Sequence, residues 1–262
     1  METGLHNRVT LIAGASQGLG RAAALGFAAE GSHLALCARN RDALERLAGE
    51  IRRDYKVRTY TEAVDVRDTA ALENFVGNTA RHFDRVDVCV TNAGGPPARD
   101  FLETTDQEWD EAFRLNLRSS AAFARAVLPY MQRHRWGRII MISSITVRQP
   151  QPQLVLSNAI RTGILGLVRS LATEFGKDGI TVNNVAPGYI ATGRLLELSA
   201  GRAAALNKKP QDIESTWVEQ IPLARLGKPE EVADAIVWLA SERASFVTGQ
   251  TVLVDGGMYK GL

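Results

Sequence analysis

The chain of 262 residues has few of the side chains that build disulfide frameworks, metal sites or strongly charged surfaces. Its two cysteines, Cys37 and Cys89, lie within apolar runs, so we expect buried, reduced side chains and no disulfide framework. The four histidines show no paired spacing, which predicts no metal site. The formal net charge is only +2, from 31 basic and 29 acidic residues. That balance gives no electrostatic basis for binding nucleic acid or an acidic membrane surface.

Long apolar runs are also missing. No segment reaches the length of a membrane span, and the first residues contain no apolar run of the signal-peptide type. Together with the low cysteine count, this predicts a cytoplasmic protein whose partner is a small molecule. The hydrophobic share of 45% and the charged share of 23% are ordinary for a globular protein, and one α/β domain of this length buries a large core.

The sequence is rich in short apolar runs that alternate with helical segments. Strands are predicted at residues 8–13, 33–38, 58–64, 86–91, 138–143, 181–185 and 251–254. Helices are predicted at residues 21–30, 43–54, 69–82, 106–132, 158–175 and 229–240, the fourth of them as one or two segments. Strands that alternate with helices and are apolar throughout indicate a parallel sheet with helices on both faces. We therefore predict a single α/β domain over residues 1–262, a doubly wound Rossmann fold of about seven strands.

One region fits this pattern poorly. Residues 193–220 follow a Pro-Gly turn and combine polar residues with an uneven apolar pattern. Such an insertion predicts a lid over a substrate site, and its alternative is an ordinary pair of surface helices.

A glycine-rich turn follows the first strand and opens the first helix. Glycines there let the backbone turn tightly and approach a pyrophosphate, whose charge the helix N-terminus stabilises. The residues predicted to bind a dinucleotide in this turn are Gly14, Ser16, Gln17, Gly18, Leu19 and Gly20.

The G-x-x-x-G-x-G spacing of this turn resembles the short-chain dehydrogenase/reductase family, and other segments match that family in order along nearly the whole chain. The likeness is greatest to its β-ketoacyl carrier-protein reductase-like members. The resemblance implies further cofactor-binding residues, namely Asp65, Val66, Asn92, Ala93, Gly94, Pro187, Gly188, Ile190 and Thr192. It also implies a homotetramer or homodimer assembled through helices 106–132 and 158–175 and the last strand.

The end of the second strand bears on the choice between NAD(H) and NADP(H). NAD-preferring relatives place an acidic residue there to accept from the ribose 2′-hydroxyl. This chain has Ala38, which would not repel a 2′-phosphate, followed by Arg39, which could pair with one, and Asn40. We therefore predict that NADP(H) is preferred, with NAD(H) as the alternative.

Four positions in the resemblance concern catalysis. Asn116 matches the family's active-site asparagine, and Ser144 matches its catalytic serine at the end of the fifth strand. The family's tyrosine lies thirteen residues after that serine, and its lysine four residues later. This chain has Ser157 and Arg161 at those positions, and the matching helix that follows excludes a shifted alignment. Residues four apart share a helix face, so both side chains are predicted to face one site.

The two replacements change the chemistry. A phenol has a pKa of roughly 10, which a neighbouring ammonium can lower, whereas a serine hydroxyl is a far weaker acid. Arg161 keeps the positive charge and can still bond the ribose hydroxyls, but it cannot release a proton in a relay. Tyr189 is a possible substitute acid, although we interpret it as a packing residue.

Three functions remain open from the sequence. The first is an NADP(H)-dependent oxidoreductase that reduces a ketone, an aldehyde or a 3-ketoacyl group, or oxidises the alcohol. Ser144 and Ser157 would then orient the substrate oxygen, Arg161 would stabilise its negative charge, and water near Asn116 would supply the proton. The second is a non-redox enzyme such as a dehydratase, isomerase or cyclase. The third is a nucleotide-binding subunit without catalysis.

Overall fold

The computed structural model describes residues 2–261, and its centre is one parallel sheet in the order β3-β2-β1-β4-β5-β6-β7. The strands are β1 (Val9–Ala13), β2 (His33–Ala38), β3 (Thr59–Ala63), β4 (Val88–Thr91), β5 (Gly137–Ile142), β6 (Ile180–Pro187) and β7 (Thr251–Val254). The helices are α1 (Gly18–Ala29), α2 (Arg41–Tyr55), α3 (Thr69–Phe83), α4 (Asp106–Ala112), α5 (Ser119–His134), α6 (Val155–Phe175), α7 (Gly193–Leu206), α8 (Pro210–Val218) and α9 (Pro229–Ala240).

Two apolar layers cover the sheet and explain why its strands are apolar throughout. Phe75 of α3 and Phe123 of α5 belong to the layer on one face, which α6 completes. Phe27 of α1, Leu44 of α2 and Ile236 of α9 belong to the layer on the other face. The four central strands β1, β4, β5 and β6 are buried along their whole length. The predicted doubly wound fold of about seven parallel strands is confirmed.

The strand order reverses next to β1, which pairs with β2 on one side and with β4 on the other. In open α/β sheets a crevice forms at such a reversal, beyond the carboxyl ends of the strands. The fold therefore places the turns after β1 and β4 at one crevice.

The predicted helix 106–132 is interrupted in the structure. A π-helical turn, Phe113–Arg118, separates α4 from α5. The next helix also differs from its prediction, because α6 begins at Val155 and not at residue 158. Cys37 and Cys89 are fully buried as expected, and burial raises the pKa of both thiols. Among residues 2–261, no helix combines the length and the apolar character that crossing a bilayer requires.

Residues 193–220 form the helix pair α7 and α8. The two helices share a small core of Leu195, Ala203, Ile213 and Trp217. Tyr189, just before the pair, stacks on Trp217 with 4.8 Å between ring centroids. The segment thus has its own apolar contacts, and α7 starts at the crevice beyond the carboxyl ends of the strands.

Candidate active site

A cleft of about 1020 Å³ lies beyond the carboxyl ends of strands β1 to β6. At one end it is lined by the residues that follow β2 and β3, and at the other by Ser144, Ser157 and Arg161. The turn after β1 lies between them. Every predicted site residue lines this cleft except Gly20 and Asn116.

The turn after β1 has the backbone conformation that its glycines predict. Gly14 and Gly18 have φ angles of +61° and +55°, which L side chains rarely adopt. A Cβ on Gly20 would lie 2.2 Å from the carbonyl oxygen of Gly14, so Gly20 allows α1 to pack directly against the turn. The N-cap residue of α1, Gln17, makes no side-chain cap bond. The first backbone N–H groups of α1 therefore remain for an anion such as a pyrophosphate.

Charged side chains line the end of the cleft at β2 and β3. Arg67 forms an ion pair with Asp65 at 2.6 Å, and its hydrogen bonds hold the pKa of that carboxyl below its usual range. Arg39 is exposed, and no carboxylate of residues 2–261 lies within 4 Å of it. Asn40 caps α2 by accepting from the Ala43 N–H at 3.0 Å. The guanidinium of Arg39 therefore brings a positive charge to this end.

Hydrogen bonds link three hydroxyl-bearing residues at the opposite end. Ser157 Oγ lies 3.1 Å from Thr146 Oγ1, and Ser144 Oγ accepts from the Thr146 N–H at 3.3 Å. The nearby Ser143 Oγ is buried and has no hydrogen-bond partner within residues 2–261. Sequence reasoning did not identify Thr146, although its position two residues after Ser144 in a turn is the signal that could have found it.

Arg161 is almost completely buried behind these hydroxyls, with 6% of its surface exposed. Its guanidinium donates to the carbonyl oxygens of Ser143 at 3.2 Å, Ile142 at 3.4 Å and Gly94 at 3.1 Å. Burial, and secondarily the positive charge of Arg194, lowers the pKa of Arg161 to about 10. Arg161 therefore carries a full positive charge at neutral pH. As predicted, it faces the same cleft as Ser157.

Asn116 lies in the π-helical turn and is buried beside the cleft without lining it. Its Nδ2 donates to the Gly94 carbonyl at 2.9 Å, the same oxygen that accepts from Arg161. Its Oδ1 is buried and has no hydrogen-bond partner among the described residues. The amide nitrogen of Asn116 thus already donates a hydrogen bond, and its oxygen is the atom that could accept one from a water molecule.

Tyr189 has the contacts of a packing residue. Besides stacking on Trp217, it donates its O–H to Gln151 Oε1 at 3.1 Å. Burial raises the pKa of the phenol, which makes Tyr189 a weaker acid. The hydrogen bond also joins residues 149–153, a loop that contains two prolines, to the segment that precedes α7.

Several lining residues were not identified from the sequence. They include Arg67, Gly95, Pro96, Thr146 and Arg194. Arg194 donates to the Pro96 carbonyl at 2.6 Å and so connects α7 to the loop after β4. Arg194 follows Thr192, a predicted cofactor-binding residue, by two positions, and this short separation is the sequence signal that could have identified it.

A model of the protein family described as "Enoyl-(Acyl carrier protein) reductase" matches residues 14–259. The 3-oxoacyl-[acyl-carrier-protein] reductase of Aquifex aeolicus is 32% identical over 259 residues, which are 99% of this chain and 100% of the relative. The enzyme of the same name from Staphylococcus epidermidis is 34% identical over 254 residues, or 97% of this chain and 99% of the relative.

Solved structures match the whole chain as well. L-sorbose reductase from Gluconobacter frateurii, in complex with NADPH and L-sorbose, superposes with a TM-score of 0.95, with 32% identity and full coverage of both chains. YwfH, an NADPH-dependent reductase involved in bacilysin biosynthesis, superposes with a TM-score of 0.93 at 26% identity, over 98% of this chain and 100% of that one.

Proposed function

Because the chain belongs to the short-chain dehydrogenase/reductase family, we propose that it is an NADP(H)-dependent oxidoreductase that reduces a carbonyl group or oxidises the corresponding alcohol. The observation that carries this proposal is the continuous cleft, which leads from the glycine turn to Ser144, Ser157 and Arg161. Relatives and structural neighbours that are reductases by name support it.

The residues present fit a dinucleotide. The uncapped N-terminus of α1 and the positive φ angles of Gly14 and Gly18 suit a pyrophosphate. The segments after β4 and β6 would hold the nicotinamide half, through Asn92, Ala93, Gly94, Pro187, Gly188, Ile190 and Thr192. When bound, NADPH supplies a hydride to the carbonyl carbon.

This chain's own residues would stabilise the substrate oxygen. The hydroxyls of Ser144 and Ser157 orient it by hydrogen bonds, and the buried charge of Arg161 opposes its developing negative charge. Fixed donors of this kind contribute on the order of 3 kcal/mol each to transition-state stabilisation. Neither hydroxyl readily gives up its proton at neutral pH, so we expect the alkoxide left by hydride transfer to be stabilised by Arg161 and to take its proton from solvent water, with the resulting hydroxide exchanging into bulk solvent. The Oδ1 atom of Asn116, which has no hydrogen-bond partner among the described residues, is an acceptor available to such a water.

Cofactor preference follows from Arg39. Its guanidinium lines the cleft where a 2′-phosphate would lie, and Ala38 presents no carboxylate to repel it. We expect NADPH to bind more tightly than NADH in a fluorescence titration. Equal or tighter binding of NADH would reject the preference.

The central test is NADPH oxidation against a panel of ketones, aldehydes and 3-ketoacyl thioesters. Turnover that Ser144→Ala abolishes would support the proposal, and turnover that survives this substitution would reject the assignment of Ser144. Conversion without loss of NADPH absorbance would favour a non-redox enzyme.

The double variant Ser157→Tyr, Arg161→Lys restores the family's residues and completes the test. If it gains activity that the parent lacks on the whole panel, while the parent binds NADPH tightly, the parent is a nucleotide-binding subunit without catalysis. If both proteins reduce the same substrate, the parent is an enzyme with a rearranged site.

We also propose that the helix pair at residues 193–220 acts as a lid, because α7 starts at the cleft with Gly193, Arg194 and Leu195.

The chain assembles as a homotetramer or homodimer through α4, α5, α6 and β7, and Phe113 beside α4 is exposed in the single chain. It works in the cytoplasm, where its cysteines stay reduced. Light scattering tests the assembly, and a monomer would count against it.

A further inference from the structure

Two guanidinium groups lie at the catalytic end of the cleft, and no carboxylate among its lining residues balances them. Arg161 is buried and, in the part of the chain that the structure describes, bonds only to neutral carbonyl oxygens. Arg194, from the first turn of α7, lines the same end. Their charges influence each other, because the charge of Arg194 contributes to the lowered pKa of Arg161.

Arg194 is positioned at the cleft by one hydrogen bond to a neutral carbonyl and one ion pair to an exposed carboxylate. Its Nη2 donates to the Pro96 carbonyl at 2.6 Å, and its Nη1 lies 3.4 Å from Glu197, whose side chain is 70% exposed. The guanidinium lies so close to Gly95 that a Cβ there would be 3.1 Å from Nε and Nη2. A neutral carbonyl and a solvated carboxylate neutralise a guanidinium poorly, so a better anionic partner would compete with them.

The acidic side chain that lines the cleft does not reach this end. Asp65 lies at the β3 end, where Arg67 already pairs with it at 2.6 Å. Two like charges in a partly desolvated space repel each other, and an anion placed between them lowers that repulsion. The catalytic end is therefore complementary to a negatively charged ligand.

Apolar side chains from the segments that carry Ser144, Ser157 and Arg194 also line the cleft. They are Ile145, Leu154, Tyr189, Leu195 and Leu198. A small inorganic anion would leave that apolar surface unused, whereas an organic acid with a hydrocarbon portion would cover it.

We propose that the substrate is an oxo acid, a carbonyl compound with a free carboxylate and an apolar chain, and that Arg194 binds the carboxylate and determines this specificity. The inference rests on the proposed carbonyl chemistry of the same site. Arg161 supplies a second positive charge from behind, where it also faces the reacting oxygen.

The first experiment measures binding and needs no turnover. Hexanoate and hexanamide have the same chain length and differ in charge, so both are titrated by calorimetry into the full-length protein loaded with NADP⁺. We expect hexanoate to bind at least about tenfold more tightly than hexanamide, and Arg194→Gln to remove that advantage. Arg202→Gln is the matched control, because it removes a positive charge from the same helix at a position that does not line the cleft. Arg194→Lys should retain part of the advantage.

Three outcomes would overturn the inference. One is equal affinity of the parent for hexanoate and hexanamide. Another is an equal loss of hexanoate binding in the Arg202→Gln control. The third is a tenfold loss of NADPH affinity in Arg194→Gln, because the anion bound there would then be a cofactor phosphate. A thermal melt of each variant confirms that it is folded.

A second experiment compares KM for an oxo acid and for its methyl ester in NADPH oxidation. Arg194→Gln should raise KM for the acid about tenfold or more and leave KM for the ester unchanged. Turnover that does not distinguish acid from ester would sink the inference and leave the proposed function intact. Selective hexanoate binding without turnover on any carbonyl would instead reject the proposed function and keep the anion site.

Discussion

Arg161→Met separates the functional role of the buried guanidinium from a structural one. Methionine is unbranched and apolar, so it fills much of the same space without charge. We expect the variant to fold with nearly unchanged stability and to lose most of its activity. The reason is that Arg161 is a buried cation among neutral carbonyls, which is an expensive way to stabilise a fold.

The expected change in stability comes from two opposing effects. Burial lowers the pKa of Arg161 from 12.5 to about 10, which corresponds to about 3 kcal/mol of cost for the charged form and is removed with the charge. The substitution also removes three hydrogen bonds from the charged guanidinium to carbonyl oxygens. They are long, at 3.4, 3.2 and 3.1 Å, so we assign them about 1 kcal/mol each, below the roughly 1.5–3 kcal/mol of a well-formed bond from a charged donor. The two effects nearly cancel, so the free energy of unfolding should change by less than about 2 kcal/mol. For a chain of this size that is a shift in Tm of less than about 8 °C.

Activity should respond much more strongly than stability. Loss of the charge that faces the substrate oxygen should lower kcat/KM at least about 100-fold. Arg138→Met is a matched control, because Arg138 is another buried arginine whose pKa burial lowers to about 10, yet it lies outside the cleft. Calorimetric melts and NADPH oxidation are measured for both variants. A collapse in Tm of Arg161→Met alone, or unchanged kcat/KM, would refute the reasoning.

Three more predictions concern the cofactor and the proton. Arg39→Gln should weaken NADPH binding about 10- to 100-fold in a fluorescence titration and spare NADH, since one charge-assisted bond to phosphate is lost; equal losses would contradict this. Gly20→Ala would place a methyl group 2.2 Å from the Gly14 carbonyl oxygen and should abolish nucleotide binding, whereas Gly166→Ala, with nothing within 4 Å, should not. The rate should be constant between about pH 6 and 9, because no histidine, lysine or cysteine lines the described cleft. It should fall as the pH rises through about 10, where Arg161 loses its proton, and a break near pH 7 would argue against this assignment.

Most of the fold was predictable from the sequence, because apolar strands and amphipathic helices leave periodic patterns that survive in the structure. The glycine turn was predictable for a similar reason, since positive φ angles at Gly14 and Gly18 require that residue type. The π-helical turn at Phe113–Arg118 was not, because one wide turn hardly changes the apolar period of a helix. That turn carries Asn116, so a local irregularity decides how this candidate site residue is placed.

The contacts of Arg161 were beyond prediction for another reason. Its three carbonyl partners belong to Gly94, Ile142 and Ser143, which come from the loop after β4 and from the end of β5. Only the packing of α6 against the sheet brings them together. The sequence indicated that Ser157 and Arg161 share a helix face, but the hydroxyl of Thr146 and the guanidinium of Arg194 enter the site from other segments.

The two replaced residues make physical sense as a pair. An ammonium beside a phenol is useful because it lowers the phenol's pKa, and once Ser157 replaces the phenol there is no acid to tune. A buried ammonium also loses its proton readily, whereas a guanidinium keeps its charge and can bond several carbonyls at once. Arg161 does this with three oxygens, and its pKa of about 10 keeps it charged at neutral pH. In the proposed mechanism the site therefore has a charge that persists from neutral pH up to about pH 10, so we expect it to stabilise the substrate oxygen as an anion and to leave protonation to water.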